Sequence, residues 1–83
     1  MTLDVLYFAW IRERVGVASE RIVTEAATAA DLVNELRARD AGHADAFEDL
    51  ASIRVALDQE LSDFGDALDG VREVAFFPPM TGG

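Results

Sequence analysis

From Thr2 to Trp10 nearly every position past Asp4 is apolar, and in an extended chain Leu3, Val5, Tyr7 and Ala9 face away from Asp4, Leu6, Phe8 and Trp10. Two apolar faces predict a strand in the interior of a sheet. Trp10 to Val15, closed by Gly16, predicts a short helical turn stopped by a C-terminal glycine. A second strand is expected over Arg21 to Glu25, with Ile22 and Thr24 on one face and Val23 on the other.

The clearest helix starts at Thr28, whose hydroxyl is placed to accept from the backbone of Asp31 while Asp31 reaches back, a capping box with Asp in the usual Glu position. Ala29, Leu32, Val33 and Leu36 then recur on one helical face, and Arg37 and Arg39 suit the negative end. This helix should stop near Asp40 to Gly42. Another short turn is expected over Ala44 to Leu50, with Phe47 and Leu50 on its buried side, and a half-buried third strand over Ile53 to Leu57, ending at Asp58-Gln59. Ser62 to Gly70 reads as an acidic loop. The last strand, Arg72 to Phe77, is halted by Pro78-Pro79, which lack backbone donors. Strand, strand, helix, strand, strand is an α+β order that most simply lays one main helix across one face of a mixed sheet.

The chain has 83 residues, enough for one domain, with 51% apolar and 28% charged residues, an ordinary globular balance. It has no Cys, and all 7 basic residues are Arg, so thiol nucleophiles, disulfides, thiolate metal ligands and Schiff-base lysines are excluded. A net charge of -9 repels phosphate backbones and anionic lipid, which argues against nucleic acid and membrane partners. Met1-Thr2-Leu3-Asp4 carries no basic leader and no apolar run approaches bilayer length, so a cytoplasmic location is expected.

Side-chain chemistry is sparse. His43 is the single histidine and, beside Gly42, reads as an exposed loop residue, so no two-His metal site is available and none is expected. The acidic runs fit no calcium-loop frame. Ser19, Ser52 and Ser62 lie in no nucleophile motif, and there is no phosphate-binding glycine loop.

The exception is the end, Phe76-Phe77-Pro78-Pro79-Met80-Thr81-Gly82-Gly83. A terminal Gly-Gly arises by chance in about one chain in two hundred, and a frayed end would account for it alone. Its place after a strand and two prolines favours a purpose. The prolines stiffen the exit, the next four residues reach ~13–14 Å, and Gly82 and Gly83 fit a narrow channel. These features divide the chain into a domain over residues 1–79 and a flexible reactive tail over residues 80–83. The only reactive group at its tip is the Gly83 α-carboxylate, which becomes an acyl donor once activated, for instance as an acyl-adenylate.

With Val5-Leu6-Tyr7-Phe8-Ala9, Arg12-Glu13, Val15-Gly16 and Val55-Ala56-Leu57-Asp58-Gln59, and above all Glu73 through Gly83, the whole chain resembles the small, sulfur-carrier subunits of molybdopterin synthase. It departs from that pattern at Asp58-Gln59, where Asn-Gln is frequent, and at Val71-Arg72, where an acidic pair is usual. The resemblance implies a ubiquitin-like β-grasp fold with the two terminal strands paired in the middle. It implies that a ubiquitin-activating-type adenylyltransferase uses ATP and Mg²⁺ to adenylate Gly83, and that a persulfide donor then converts it to a thiocarboxylate. The tail, Met80, Thr81 and Gly82 leading to Gly83, would enter the large subunit and deliver sulfur to cyclic pyranopterin monophosphate. The chain would thus be part of a sulfurtransferase, a dimer of heterodimers in this family, with no catalytic side chain or bound cofactor of its own. The resemblance places the partner contact at Phe8, Leu61, Phe77, Pro78 and Pro79.

Three other readings stay open: a sulfur carrier for thiazole synthesis or another pathway, a ubiquitin-like protein modifier joined through Gly83, and a β-grasp binding module with a chance Gly-Gly ending. Phe-Phe-Pro-Pro favours the first-named resemblance. The absence of lysine excludes side-chain-linked polymers of the chain.

Overall fold

A computed structural model describes residues 1–79. The alternating sequence of the first segment forms strand β1 (Thr2–Tyr7), with Leu3, Val5 and Tyr7 buried on one face. The chain then turns through Phe8 and Ala9, whose φ of 53° lies in the left-handed region, into helix α1 (Ala9–Val15). That reversal ends β1 sooner than the apolar run itself. Gly16 closes α1 at φ 100°, a conformation that costs a side-chain-bearing residue energy, and its N–H bonds the Arg12 carbonyl.

Strand β2 (Ser19–Val23) pairs antiparallel with β1, placing Leu3 opposite Ile22. It lies two residues earlier than the pattern predicts, because the register is set by β1. Thr24 and Ile22 are nonetheless buried and Val23 exposed, as their alternation requires.

Helix α2 (Ala29–Arg37) opens as expected, with the Thr28 hydroxyl accepting from the Asp31 N–H at 3.2 Å. Two more free N–H groups of its first turn, those of Ala29 and Ala30, donate to the carbonyls of Asp66 and Phe64. The acidic loop therefore serves as part of the helix cap, and its Leu68 is fully buried. Ala29, Leu32, Val33 and Leu36 enter the core.

Helix α2 ends at Arg37, earlier than expected, and the residues from Asp40 onward start another helix, α3 (Ala41–Ala46). Asp40 is its cap and accepts from the His43 N–H at 2.9 Å. His43 is accordingly not an exposed loop residue. It is 4% exposed, with Nδ1 2.9 Å from Asp40 Oδ1 and Nε2 2.8 Å from Glu20 Oε2. Gly42 fits beneath α1 because a Cβ there would lie 2.7 Å from the Arg14 carbonyl oxygen. Phe47 is fully buried, whereas Leu50 is half-buried in a 3-10 turn (Leu50–Ser52).

Strand β3 (Arg54–Leu57) turns through Asp58 and Gln59, at φ 50° and 69°, into a short strand β4 (Glu60–Ser62), which the sequence pattern does not announce. Flanked by β4, β3 is more buried than a half-exposed strand, since Ala56 is 8% exposed. Strand β5 (Glu73–Phe77) occupies the centre. The described sheet runs β2-β1-β5-β3-β4, with β1 and β5 parallel and the other neighbours antiparallel. The terminal strands do pair in the middle, the β-grasp arrangement.

Around Phe76 the core is aromatic. Its ring meets Phe47 edge-on at 4.8 Å and stacks with Tyr7 and Phe64 at 6.2 and 6.5 Å between centroids.

Candidate functional site

Strand pairing carries one row of side chains across the face opposite the helices. Leu61 stands opposite Ala56, Ala56 opposite Ala75, and Ala75 beside Leu6. Phe77 lies one pleat further along β5, opposite Arg54, and Phe8 follows Leu6 on the same side with its N–H bonded to the Phe76 carbonyl. Because side chains alternate, these residues face outward for the same reason that Val5, Tyr7, Val74 and Phe76 face inward.

An open groove of ≈ 410 Å³ runs along this face, lined by Leu6, Phe8, Gln59, Glu73, Ala75, Phe77 and Pro78. Phe8 is 46% exposed, and Phe77, Pro78 and Pro79 are half-buried. The structure thus gathers Phe8, Phe77 and Pro78 at one groove, with Pro79 directly after it. Leu61, 73% exposed, shares the face but not the groove. It stands on the far edge strand, two strand spacings (about 10 Å) from Ala75, beside a separate recess with Arg54, Asp63 and Phe64. Met80, Thr81, Gly82 and Gly83 lie outside the described residues.

Leu6 and Ala75 were not singled out by sequence reasoning. Alternation in β1 puts Leu6 beside Phe8, a usable signal, but Ala75 joins them only through the parallel register of β1 and β5.

One end of the face is acidic. Asp4 and Glu73 are neighbours across β1 and β5, and Arg21 meets Asp4 at 3.1 Å. Asp58 accepts from the backbone N–H groups of Arg72 and Glu73 at 2.9 and 3.0 Å, and these bonds hold its carboxyl below the usual carboxylate range. Asp58 therefore ties the β3–β4 turn to the start of β5. Asp, like Asn, tolerates the left-handed backbone needed there, and its oxygen serves both donors. This accounts physically for Asp at this position.

Among the described residues no three His, Asp or Glu side chains are grouped to hold a metal ion, and no helix is long and apolar enough to cross a membrane. The described face offers an exposed apolar groove beside the point where the central strand ends at Pro78-Pro79.

The ThiS family matches residues 5–83. The molybdopterin synthase sulfur carrier subunit of Escherichia coli is 37% identical over 81 residues, covering 98% of this chain and 99% of that protein. Among solved structures, SAMP1 from Haloferax volcanii superposes with a TM-score of 0.74 at 26% identity, covering 100% of both chains. The putative molybdopterin converting factor, subunit 1, from Pyrococcus furiosus gives 0.74 at 25% identity, covering 96% of this chain and 99% of that one.

Proposed function

The chain belongs to the ThiS family, and from that premise we propose that it is the sulfur-carrier subunit of a molybdopterin synthase. The observation that carries this reading is the course of β5. The strand runs through the centre of the sheet, passes the apolar groove at Phe77, and leaves through Pro78-Pro79 toward a Gly-Gly end. The full-length likeness to a named carrier subunit supports it.

The chemistry follows from the carboxylate. Its oxygen attacks the α-phosphorus of ATP, held with Mg²⁺ by an adenylyltransferase, and pyrophosphate leaves. A persulfide displaces AMP from the resulting acyl-adenylate, and a thiol splits the acyl disulfide to leave a thiocarboxylate on Gly83. Inside the large subunit this sulfur attacks cyclic pyranopterin monophosphate, and hydrolysis returns the carboxylate. Two rounds supply the two dithiolene sulfurs.

This chain's described residues contribute docking and aim. Phe8 and Phe77 give the partner an apolar anchor, and the prolines fix the backbone where the central strand ends. At -9 the chain is a poor host for an anionic pterin phosphate, so the basic substrate pocket belongs to the partner. Useful affinity of the isolated chain for that substrate in a calorimeter would contradict this division.

Accurate intact mass of the chain purified from cells tests the proposal. The expected result is oxygen replaced by sulfur at the C-terminus, resolved by accurate mass from methionine sulfoxide. Deleting Gly83 should abolish sulfur transfer while leaving the fold. Persistence of synthase activity would mean a passive adaptor, and recovery of Gly83 only in amide linkage to other proteins would mean a modifier.

A further inference from the structure

His43 has no part in the carrier chemistry, yet its surroundings are the most organised polar cluster among the described residues. Both ring nitrogens face carboxylate oxygens, Asp40 Oδ1 at 2.9 Å and Glu20 Oε2 at 2.8 Å. A neutral imidazole has one N–H and would turn a lone pair toward one of these oxygens, whereas the imidazolium donates to both. The geometry therefore suits the charged ring.

Groups from each surrounding element bear on this arrangement. Tyr7 of β1 donates its hydroxyl to Glu20 Oε2 at 2.7 Å and meets the His43 ring edge-on. Arg39, between α2 and α3, reaches Glu20 Oε1 at 3.1 Å. Arg37 of α2 donates to the Phe47 carbonyl, and Arg14 of α1 faces Asp45 of α3 at 3.6 Å, so neither neutralises the two carboxylates beside the ring. With His43 charged, two cations balance Glu20 and Asp40; without its proton one part-buried contact becomes repulsive.

We propose that Glu20, His43 and Asp40 form a proton-dependent latch, in which the charged imidazole fastens α3 to β2 and loss of its proton loosens α3, while the Arg39–Glu20 pair stays in place. The Glu20–His43 contact spans 23 residues of sequence, Glu20 lying on β2 and His43 on a six-residue helix with little stability of its own. Releasing α3 would also loosen α1, which rests on Gly42 and follows directly from Phe8 at the docking face.

The direction of the pH dependence follows. Burial opposes charge on His43, but the hydrogen bonds and charges of Glu20 and Asp40 outweigh it and raise the ring above the ordinary histidine range. This contribution to stability is complete below the ordinary histidine value and is lost as pH rises through the raised one. Burial likewise opposes charge on Glu20, yet His43, Tyr7 and Arg39 hold it below its usual range, and the backbone and ring N–H groups of His43 do the same for Asp40. Their contributions are present above the ordinary carboxylate values and lost as pH falls through the lowered ones. The latch is closed between these limits and opens on the alkaline side by deprotonation of His43.

Because the chain has 1 histidine, its ring signals in an NMR titration of the whole protein are unambiguous. The expected midpoint lies above the ordinary histidine value. Across the same midpoint the amides of His43, Ala44 and Phe47 should lose exchange protection beyond intrinsic base catalysis, while those of Val5 and Val74 keep theirs. In His43→Gln the α3 amides should be weakly protected with no step at that midpoint. A midpoint at or below the ordinary value, or α3 protection unchanged through it in the native chain, overturns the latch, including the case in which His43 serves only to fill space.

Discussion

On β1 and β5 the residues facing the helices, Leu3, Val5, Tyr7, Val74 and Phe76, are at most 1% exposed, whereas across the sheet Phe8 is 46% and Leu61 73% exposed. Large apolar residues stand on both faces, although the open face also carries Asp4 and Glu73 and draws Leu61 from β4. The difference is the cover: α2, Phe47 and Leu68 close one face, and nothing among the described residues closes the other. Apolar area on the closed face stabilises the fold, while on the open face it is available for association, roughly 1.5–3 kcal/mol for each large side chain fully buried. A carrier that must dock on other proteins is served by this division, because docking strength can vary without altering the core.

The comparison breaks most sharply at Phe76. Removing its ring by Phe76→Ala should cost about 3–5 kcal/mol, read as a lowered midpoint in chemical denaturation, because a cavity opens among Tyr7, Phe47 and Phe64. On the open face Phe8→Asp with Leu61→Asp should do the reverse. Association with the large subunit should fall by at least about 2 kcal/mol in affinity, while stability changes by about 0.5 kcal/mol or less. Loss of fold in that variant would place the two residues in the core after all. The smallest effect tests the cover alone: Thr28→Ala removes the α2 cap and should cost about 1 kcal/mol of stability without changing partner affinity.

Much of the closed face is legible along the chain. Ala29, Leu32, Val33 and Leu36 repeat with helical spacing and are buried, and Phe76 and Val5 reach the core as their aromatic-rich and aliphatic strands suggest. The open face is only partly legible. Phe8 and Phe77 meet at one groove, but Leu61 stands apart from it, because its position depends on how far β4 lies from β5 in the sheet. Strand β4 itself is too short to show periodicity, and it exists through pairing with β3 after the Asp58-Gln59 turn. His43 is the plainest reversal. A polar neighbourhood beside Gly42 suggests exposure, yet Glu20, 23 residues away, closes over the ring.

The sequence by itself determined what depends on neighbouring residues: the Thr28 cap, the Gly16 stop, the amphipathic face of α2 and the end of β5 at Pro78-Pro79. Local torsional preference and hydrogen-bond reach encode such features within a few positions. Only the tertiary structure decided which apolar face stays open, where Leu61 stands relative to the groove, and that His43 is held between two carboxylates. Burial and charge pairing are set by segments far apart in the chain, and those distances come into being when the sheet closes around its central strands.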